Sequence, residues 1–547
     1  MKLIKLSYRK SQLLIIIISA LLFIPFLGQV HLFDWDEINF AESAREMLIT
    51  RNWLEVQVDF ETFWEKPPLF IWMQAISMKV FGINEFAARF PNAICGILTL
   101  LVLFHIGNRL YNRQYAWIWV LVYAGSFLPF FYFKSGIIDP WFNLFIFLGI
   151  YYLFRYSTHR NLWFISLGAL FAGLAVLTKG PVGALIVGLT ILAYLFVIRF
   201  KVKIKFQDIL LFLLVFVLFG GFWFILMLLN GNSAMIIDFI AYQIRLFQTE
   251  DAGHGGFLFY HFVVLFFGVF PASIFALKGF LPSKEKSERA DFKRLMQVLF
   301  LVVLILFTIV KTKIVHYSSM AYIPMTYLAA YVILKIVNRN YRLYAWMKVS
   351  LAVLGTLYAL LLLILSNFDW LKSRLINSDA FDDPFAEAAL QANAGWTGFE
   401  ILPGIILLMA VIAFLIFARK KRRMHAIVSL FLGSLIFVQL SMILIVPRIE
   451  RYSQHAAIEF YKEKAGEDVY MRPVGFKSYA HLFYFQKTAP KHANHNDEYW
   501  LMAGDIDKHA YFVIKIQHLE KYLNKYPEVK EINRKNGFVF CEREKKD

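Results

Sequence analysis

The sequence predicts a mainly α-helical, polytopic membrane protein that ends in a small α/β domain. Three observations predict it. Apolar residues make up 59% of the 547 residues, against about 45–50% in a soluble domain, and the mean hydropathy is +0.55. The excess comes in runs of about 20 residues, the length that crosses a bilayer as a helix. After residue 446 the character changes to polar sequence with short strand-like runs.

In chain order, thirteen spans are expected, at 12–30, 86–108, 115–133, 139–155, 162–178, 181–199, 207–229, 257–277, 294–310, 315–334, 346–366, 398–418 and 426–446. The first apolar run, Leu13 to Val30, is followed by His-Leu-Phe-Asp-Trp rather than by small residues, so it reads as a retained helix and not a cleaved leader. Between spans 1 and 2 lies a long polar stretch, 31–68, in which acids (Asp34, Asp36, Glu37, Glu42, Glu46, Glu55, Asp59, Glu61, Glu65) alternate with rings (Phe33, Trp35, Trp53, Phe63, Trp64). Rings settle at headgroup level while carboxylates face water, so this is a loop at a membrane surface. The segment 67–81 is apolar but too short to span and reads as an interfacial helix, with Pro67 and Pro68 in its first turn. The predicted domains are 1–446, the membrane domain with its outer loop 31–81, and 447–547, an extracytoplasmic α/β domain. In the latter, strands are expected over Asp468–Met471, Tyr511–Ile516 and Gly537–Cys541, and a helix over His518–Tyr526.

A net charge of +18 would suggest nucleic acid in a soluble protein. Here the charge sorts by loop. The N-terminus and the connections after even-numbered spans hold 27 Lys and Arg, and the other side holds 12. The positive-inside rule therefore puts the N-terminus in the cytoplasm, and an odd span count puts the 31–68 loop and the C-terminus outside. Cys95, in an apolar run, and Cys541 are too few and too far apart for a disulfide framework or a metal cluster.

The polar residues that suggest chemistry gather at span ends on the outer side: Asp36, Glu37, Glu65, Lys66, Asp139, Lys179, Arg245, His254, Lys311, Lys313, His316 and Tyr317. Bland readings exist for each. Asp36 suits the N-cap of a helix 37–49, and Asp139 before Pro140 suits an N-cap with proline at N1. Lys179-Gly180-Pro181 reads as a tight turn, and a lysine at a membrane edge snorkels to water. The chemical reading is that Lys66 holds a lipid phosphate as a point charge, Tyr317 and Arg245 donate to the same oxygens, and a carboxylate takes the proton of an acceptor hydroxyl. No nucleotide fingerprint is seen.

These residues sit in recognisable strings: Asp36-Glu37 followed by AESAREML, Phe63-Trp64-Glu65-Lys66-Pro67-Pro68, Val80-Phe81-Gly82, Phe86-Ala87-Ala88-Arg89, Asp139-Pro140, Thr178-Lys179-Gly180-Pro181 and Lys313-Ile314-Val315-His316-Tyr317. With them the chain resembles the polyprenyl-phosphate-sugar glycosyltransferases of the GT-C superfamily, in particular bacterial lipid A 4-amino-4-deoxy-L-arabinose transferases and protein O-mannosyltransferases. The resemblance covers spans 1 to 10. It implies Asp36 as base or positioning group, with Asp139 as second acid and Glu37 beside them. It implies Lys66, Tyr317, Arg245 and Lys179 as binders of the carrier phosphate. Glu65 and His254 match positions that hold a divalent metal in the aminoarabinose relatives, and no nucleotide cofactor is implied. The implied partners are an undecaprenyl-phosphate-linked sugar and an acceptor that is lipid A, another envelope glycan or a protein Ser/Thr, and the implied location is the bacterial inner membrane. Val315 stands where the family pattern has proline, and nothing after Pro447 aligns. Two other classes compete. A transporter of a lipid-linked solute would place its charges near mid-membrane on paired broken helices, whereas here they lie at span ends and no paired broken helices are found. A non-catalytic assembly protein leaves the outer-face residues unexplained.

The charge asymmetry makes a direct prediction. A reporter fused after Asp547 is expected outside the cytoplasm and one inserted within Ser283–Asp291 inside, and a cytoplasmic C-terminus would reverse the assignment of faces.

Overall fold

The computed structural model describes residues 6–248, 255–282, 285–366, 368, 372 and 383–545. Each of the thirteen apolar stretches contains helix. Among the described residues, seven helices are long and apolar enough to cross a membrane, and the number rises to 10 if each of three bent pairs counts once. Tyr8–Phe23, Asp139–His159 and Val182–Val197, expected as spans, are not among these. The first helix ends at Phe23 rather than at residue 30: Ile24 still has helical angles, but Pro25 has no N–H to continue the ladder of hydrogen bonds.

Side-chain placement is that of a membrane protein. On Ala345–Leu365, Val349, Val353, Leu357, Leu360, Leu361 and Ile364 face outward, while the helical stretch Val315–Val337 is enclosed by the others. Where helices meet closely, glycine replaces larger residues. A Cβ on Gly173 would stand 2.8 Å from the Gly220 nitrogen, so these two glycines let Leu162–Lys179 and Phe206–Gly220 touch through their backbones.

Three departures from the sequence reading have local causes. Broken helices are present: Arg113–Ala124 with Phe127–Lys134 bends by 83°, Phe206–Gly220 with Phe222–Leu229 by 60°, and Tyr260–Gly268 with Ala272–Gly279 by 115°. The breaks fall at Gly125-Ser126, at Gly220-Gly221 and at Pro271, where helical continuity is weakest. A further helix, Ser233–Gln248, was not expected; Met235, Phe239 and Tyr242, at helical spacing, are its buried face, while Ile237, Ile240 and Ile244 look outward. Finally, neither Asp36 nor Asp139 is an N-cap: each is the first helical residue, and Trp35 and Ile138 occupy the cap positions.

The outer loop is ordered. After the helix Asp36–Thr50, strands β1 (Gln57–Val58) and β2 (Glu61–Thr62) pair antiparallel around a two-residue turn, and Leu69–Phe81 forms the short apolar helix. Both turn residues, Asp59 and Phe60, have φ near +60°, a region that costs a non-glycine residue free energy. Glu46 compensates: its Oε1 accepts the Asp59 N–H at 2.7 Å and its Oε2 the Phe60 N–H at 2.9 Å.

The segment after 446 carries helix His455–Glu463 and a four-stranded sheet, β3 (Tyr470–Val474), β4 (Ala510–Lys515), β5 (Lys530–Lys535) and β6 (Phe538–Arg543), in the order β3-β4-β6-β5. β3 and β4 are parallel, and the rest are antiparallel. The exposed edge strand β5, KEINRK, was missed because it has no apolar alternation. This unit packs on the outer loop. The Leu32 N–H donates to the Tyr484 hydroxyl at 2.6 Å, and Gln454 Nε2 donates to the Leu32 carbonyl at 2.7 Å.

Burial and the neighbouring Glu42 carboxylate push the Glu46 pKa up to about 9. Such an acid contributes stability that is complete below the ordinary carboxylate range and lost as pH rises toward 9. Thermal melting of the purified protein should therefore fall from pH 5 to 9, and Glu46→Gln, which mimics the protonated acid, should flatten that fall. Identical slopes for the two proteins would refute the assignment.

Candidate active site

Helix ends converge on one polar cluster. Asp36 opens Asp36–Thr50 with its side chain 42% exposed, whereas Asp139 opens Asp139–His159 with its side chain 3% exposed. His316 stands between them, its Nε2 3.4 Å from Asp36 Oδ2 and 3.9 Å from Asp139 Oδ2. His316 sits on a 3₁₀ turn, Val315–Ala321, that runs into Tyr322–Val337, so the turn forms with valine in place of proline. Lys313 anchors it by donating from Nζ to the carbonyls of Phe307, Thr308 and Val310 at 2.9, 2.8 and 2.5 Å. Lys313 thus satisfies orphan carbonyls at a helix end.

Lys179 is the last residue of Leu162–Lys179 and donates to Asp139 Oδ1 at 2.7 Å. Its ammonium also lies 5.2 Å from the centre of the Tyr317 ring, which brings Tyr317 into the cluster. The chain leaves this helix through Gly180, whose φ of +89° and a Cβ position 2.7 Å from the Phe239 ring admit no side chain.

Lys66 approaches from the outer loop. Its side chain is 15% exposed, its Nζ is 4.0 Å from Glu65 Oε2, and it lies 5.2 Å from the Tyr242 ring centre. Burial pushes its pKa down, against the pull of Glu65 and Asp36, and Lys179 lowers it further. Tyr242 also donates its hydroxyl to Glu65 Oε2 at 2.9 Å and carries the Arg245 guanidinium on its ring at 5.0 Å. The unexpected helix therefore delivers Tyr242 and Arg245 to the same place as Lys66.

Asp36, Asp139, Lys66, Lys179, Tyr317, Glu65 and Arg245 are thus brought together. Glu37 is not. It is buried, and its carboxylate accepts from Arg89 Nε at 3.1 Å and Nη2 at 2.8 Å, from the Phe33 N–H at 2.9 Å, and from the Gly136 N–H. Burial raises its pKa, but Arg89 and the two amides outweigh burial and hold it below the ordinary range. Glu37 is a structural anchor rather than the second member of an acid pair with Asp36. His254 lies outside the described residues. Glu65 belongs to no described group of three metal-ligating side chains, so no chemical step is routed here through a metal. His316, which the sequence places among the span-end polar residues without a specific role, is the residue between the two acids.

A membrane-embedded helical fold with a polar site at helix ends, beside which an α/β segment packs on the 31–81 loop, defines the class. The comparisons with known proteins agree with it. The Dolichyl-phosphate-mannose-protein mannosyltransferase family matches residues 65–223. An uncharacterized protein of Aquifex aeolicus is 27% identical over 381 residues, covering 67% of this chain and 75% of its own. The undecaprenyl phosphate-alpha-4-amino-4-deoxy-L-arabinose arabinosyl transferase of Shewanella sediminis is 26% identical over 342 residues, 59% of this chain and 60% of its own length. The chain thus spans about three fifths of the named relative it matches. The crystal structure of ArnT from Cupriavidus metallidurans bound to undecaprenyl phosphate superposes with a TM-score of 0.75 at 16% identity, covering 98% of both chains. The fold is therefore shared over its whole length, including the tail that showed no aligned string. In sequence and in fold the chain resembles GT-C glycosyltransferases of the aminoarabinose-transferase and protein-mannosyltransferase kind.

The Glu37–Arg89 pair generates a prediction. Removing one partner of a buried ion pair leaves an uncompensated charge and costs about 3–5 kcal/mol. Arg89→Met should therefore lower the melting temperature of the detergent-purified protein sharply, while Asp36→Asn should leave it near wild type. A wild-type melt for Arg89→Met would remove Glu37 from its anchoring role.

Proposed function

We propose that this chain is an integral inner-membrane glycosyltransferase that moves a sugar from a polyprenyl phosphate, of the undecaprenyl class, to an envelope acceptor on the outer face. The observation that carries the reading is the cluster in which two lysines, two carboxylates and His316 meet at helix ends. Beside it, an apolar groove of about 560 Å³ lined by Pro181, Val182, Leu185, Leu189 and Gln243 begins two residues after Lys179 and suits an isoprenoid chain.

In this mechanism Lys66 holds the carrier phosphate, supported by Lys179, Tyr317 and Arg245. A phosphate dianion or diester beside Lys66 offsets the burial cost that its ammonium bears in the free enzyme. Asp36, the exposed acid, accepts the proton of the acceptor hydroxyl. The hydroxyl oxygen forms its bond to the anomeric carbon from the face opposite the phosphate, the carbon–oxygen bond to phosphate breaks, and the lipid phosphate leaves with the electron pair, giving inversion. Asp139, buried, positions Lys179 and His316, and His316 holds Asp36 in place. A general base contributes about 10²–10⁴-fold, and the lysines stabilise charge developing on the leaving phosphate.

Lipid A is the acceptor that the resemblance of the sequence strings to lipid A aminoarabinose transferases implies. The match of residues 65–223 to a protein mannosyltransferase family favours protein Ser/Thr as the second reading. Transport is disfavoured because the charged site residues lie at helix ends, despite the three bent helices. Mass spectrometry of lipid A and of envelope glycoproteins, with and without the gene, separates the acceptors.

With a synthetic polyprenyl-phosphate sugar, Asp36→Asn should fold and bind donor but lose at least about 10²-fold in turnover. Lys66→Ala should instead weaken donor binding, with Lys66→Arg retaining part of it. Full activity in a stable Asp36→Asn protein would remove the base, and unchanged donor saturation in Lys66→Ala would remove the phosphate site.

A further inference from the structure

A second cluster lies away from the polar site, where the outer loop meets the C-terminal segment. His31 follows the first helix. Glu450 closes the short helix Val446–Glu450, and His455 and Glu459 occupy successive turns of His455–Glu463. The Glu450 side chain is 4% exposed and accepts from both imidazoles: Oε1 from His31 Nδ1 at 3.0 Å and Oε2 from His455 Nδ1 at 3.0 Å. An ionised carboxylate only accepts, so each ring turns an Nδ1–H toward Glu450, and Nε2 is the nitrogen left to ligate a metal. His31 Nε2 is 3.5 Å from Glu459 Oε1, and one ligand atom from each of His31, His455 and Glu459 lies within 4.8 Å of the others. They border a cavity of about 330 Å³ that Gln29, Glu85 and Arg451 also line.

We propose that His31, His455 and Glu459 bind a divalent transition-metal ion of the zinc class, with Glu450 orienting both imidazoles from behind. Two imidazoles and a carboxylate form a donor set that suits zinc and leaves a position open toward the cavity. A carboxylate that fixes the Nδ1–H of a ligating histidine sets its tautomer and raises its basicity. Without the ion, Glu459 Oε1 pairs with Lys462 at 3.2 Å. A surface pair of this kind is worth little and yields to a metal. The site would staple the outer loop to the chain's last segment, five residues from Asp36. Because the His31 carbonyl also accepts from Arg89 Nη2 at 2.9 Å, the metal would act on the same segment as the buried ion pair.

The test uses full-length protein in detergent, stripped with chelator and titrated with Zn²⁺ alone. Metal per chain after desalting and the zinc-dependent shift in melting temperature are both read. Wild type should retain an equivalent of zinc and melt at higher temperature with it. His455→Gln and Glu459→Gln should lose both effects while melting like wild type in chelator, and His254→Ala should keep both. If His455→Gln misfolds, Glu459→Gln decides, since its side chain is 44% exposed. Absence of a zinc-dependent shift in wild type, or wild-type binding by Glu459→Gln, overturns the proposal and leaves the cluster a hydrogen-bonded clamp. Loss of binding in His254→Ala alone would overturn it by moving the metal to that residue.

Discussion

The buried Glu37–Arg89 pair is the constraint on which the site's face of the bundle depends. Arg89 lies on the first turns of Glu85–Leu110, and besides Glu37 it donates to the carbonyls of Leu27, Val30 and His31 at 2.8, 2.7 and 2.9 Å. Glu37 in turn takes the Gly136 N–H, three residues before Asp139. One ion pair therefore fixes the end of the first helix, the start of the outer helix and the approach to Asp139. Asn92, one turn along from Arg89, adds two bonds at 2.6 Å to the carbonyls of Ser135 and Ile137. Neighbouring residues of a helix point about 100° apart. With Glu37 held inward, Asp36 is turned out of the core toward His316.

This division of labour explains why adjacent acids have opposite fates. Glu37 is buried, paired and ionised for structural reasons, whereas Asp36 remains 42% exposed. Asp139 and Lys179 repeat the pattern across the cluster, a shielded pair that holds a second lysine in place. Lys66 is then the cation in the group whose burial is least compensated by its partner, Glu65 being 4.0 Å away, and it is the natural place for an anion to add.

Much of this was legible in the sequence. Apolar runs located the helices, and charged residues at span ends located the cluster, because bilayer cost confines charge to the interface. Two kinds of feature were not legible. Helix breaks at Gly125-Ser126 and Gly220-Gly221 leave the hydropathy of a continuous span intact, so length alone read each as one rod. Which acid of Asp36-Glu37 faces the site depends on Arg89, 52 positions away in the chain, and no local pattern encodes that choice. His316 is among the span-end residues that the sequence singles out, but its role is not legible there for the same reason, since it stands between two acids from different helices. The helix Ser233–Gln248 did carry a signal in the spacing of Met235, Phe239 and Tyr242, hidden by an equally apolar opposite face.

The contact between Leu32 and Tyr484 joins residues 452 positions apart, and the helix carrying Asp36 starts four residues after Leu32. The loop that carries the exposed acid is consequently synthesised long before its partner exists. During translation the Leu32 N–H stays without this partner until the chain has grown by a further 452 residues. A chain that stalls before Tyr484 is made therefore leaves the Leu32 N–H, four residues from the exposed acid, without the hydroxyl it donates to.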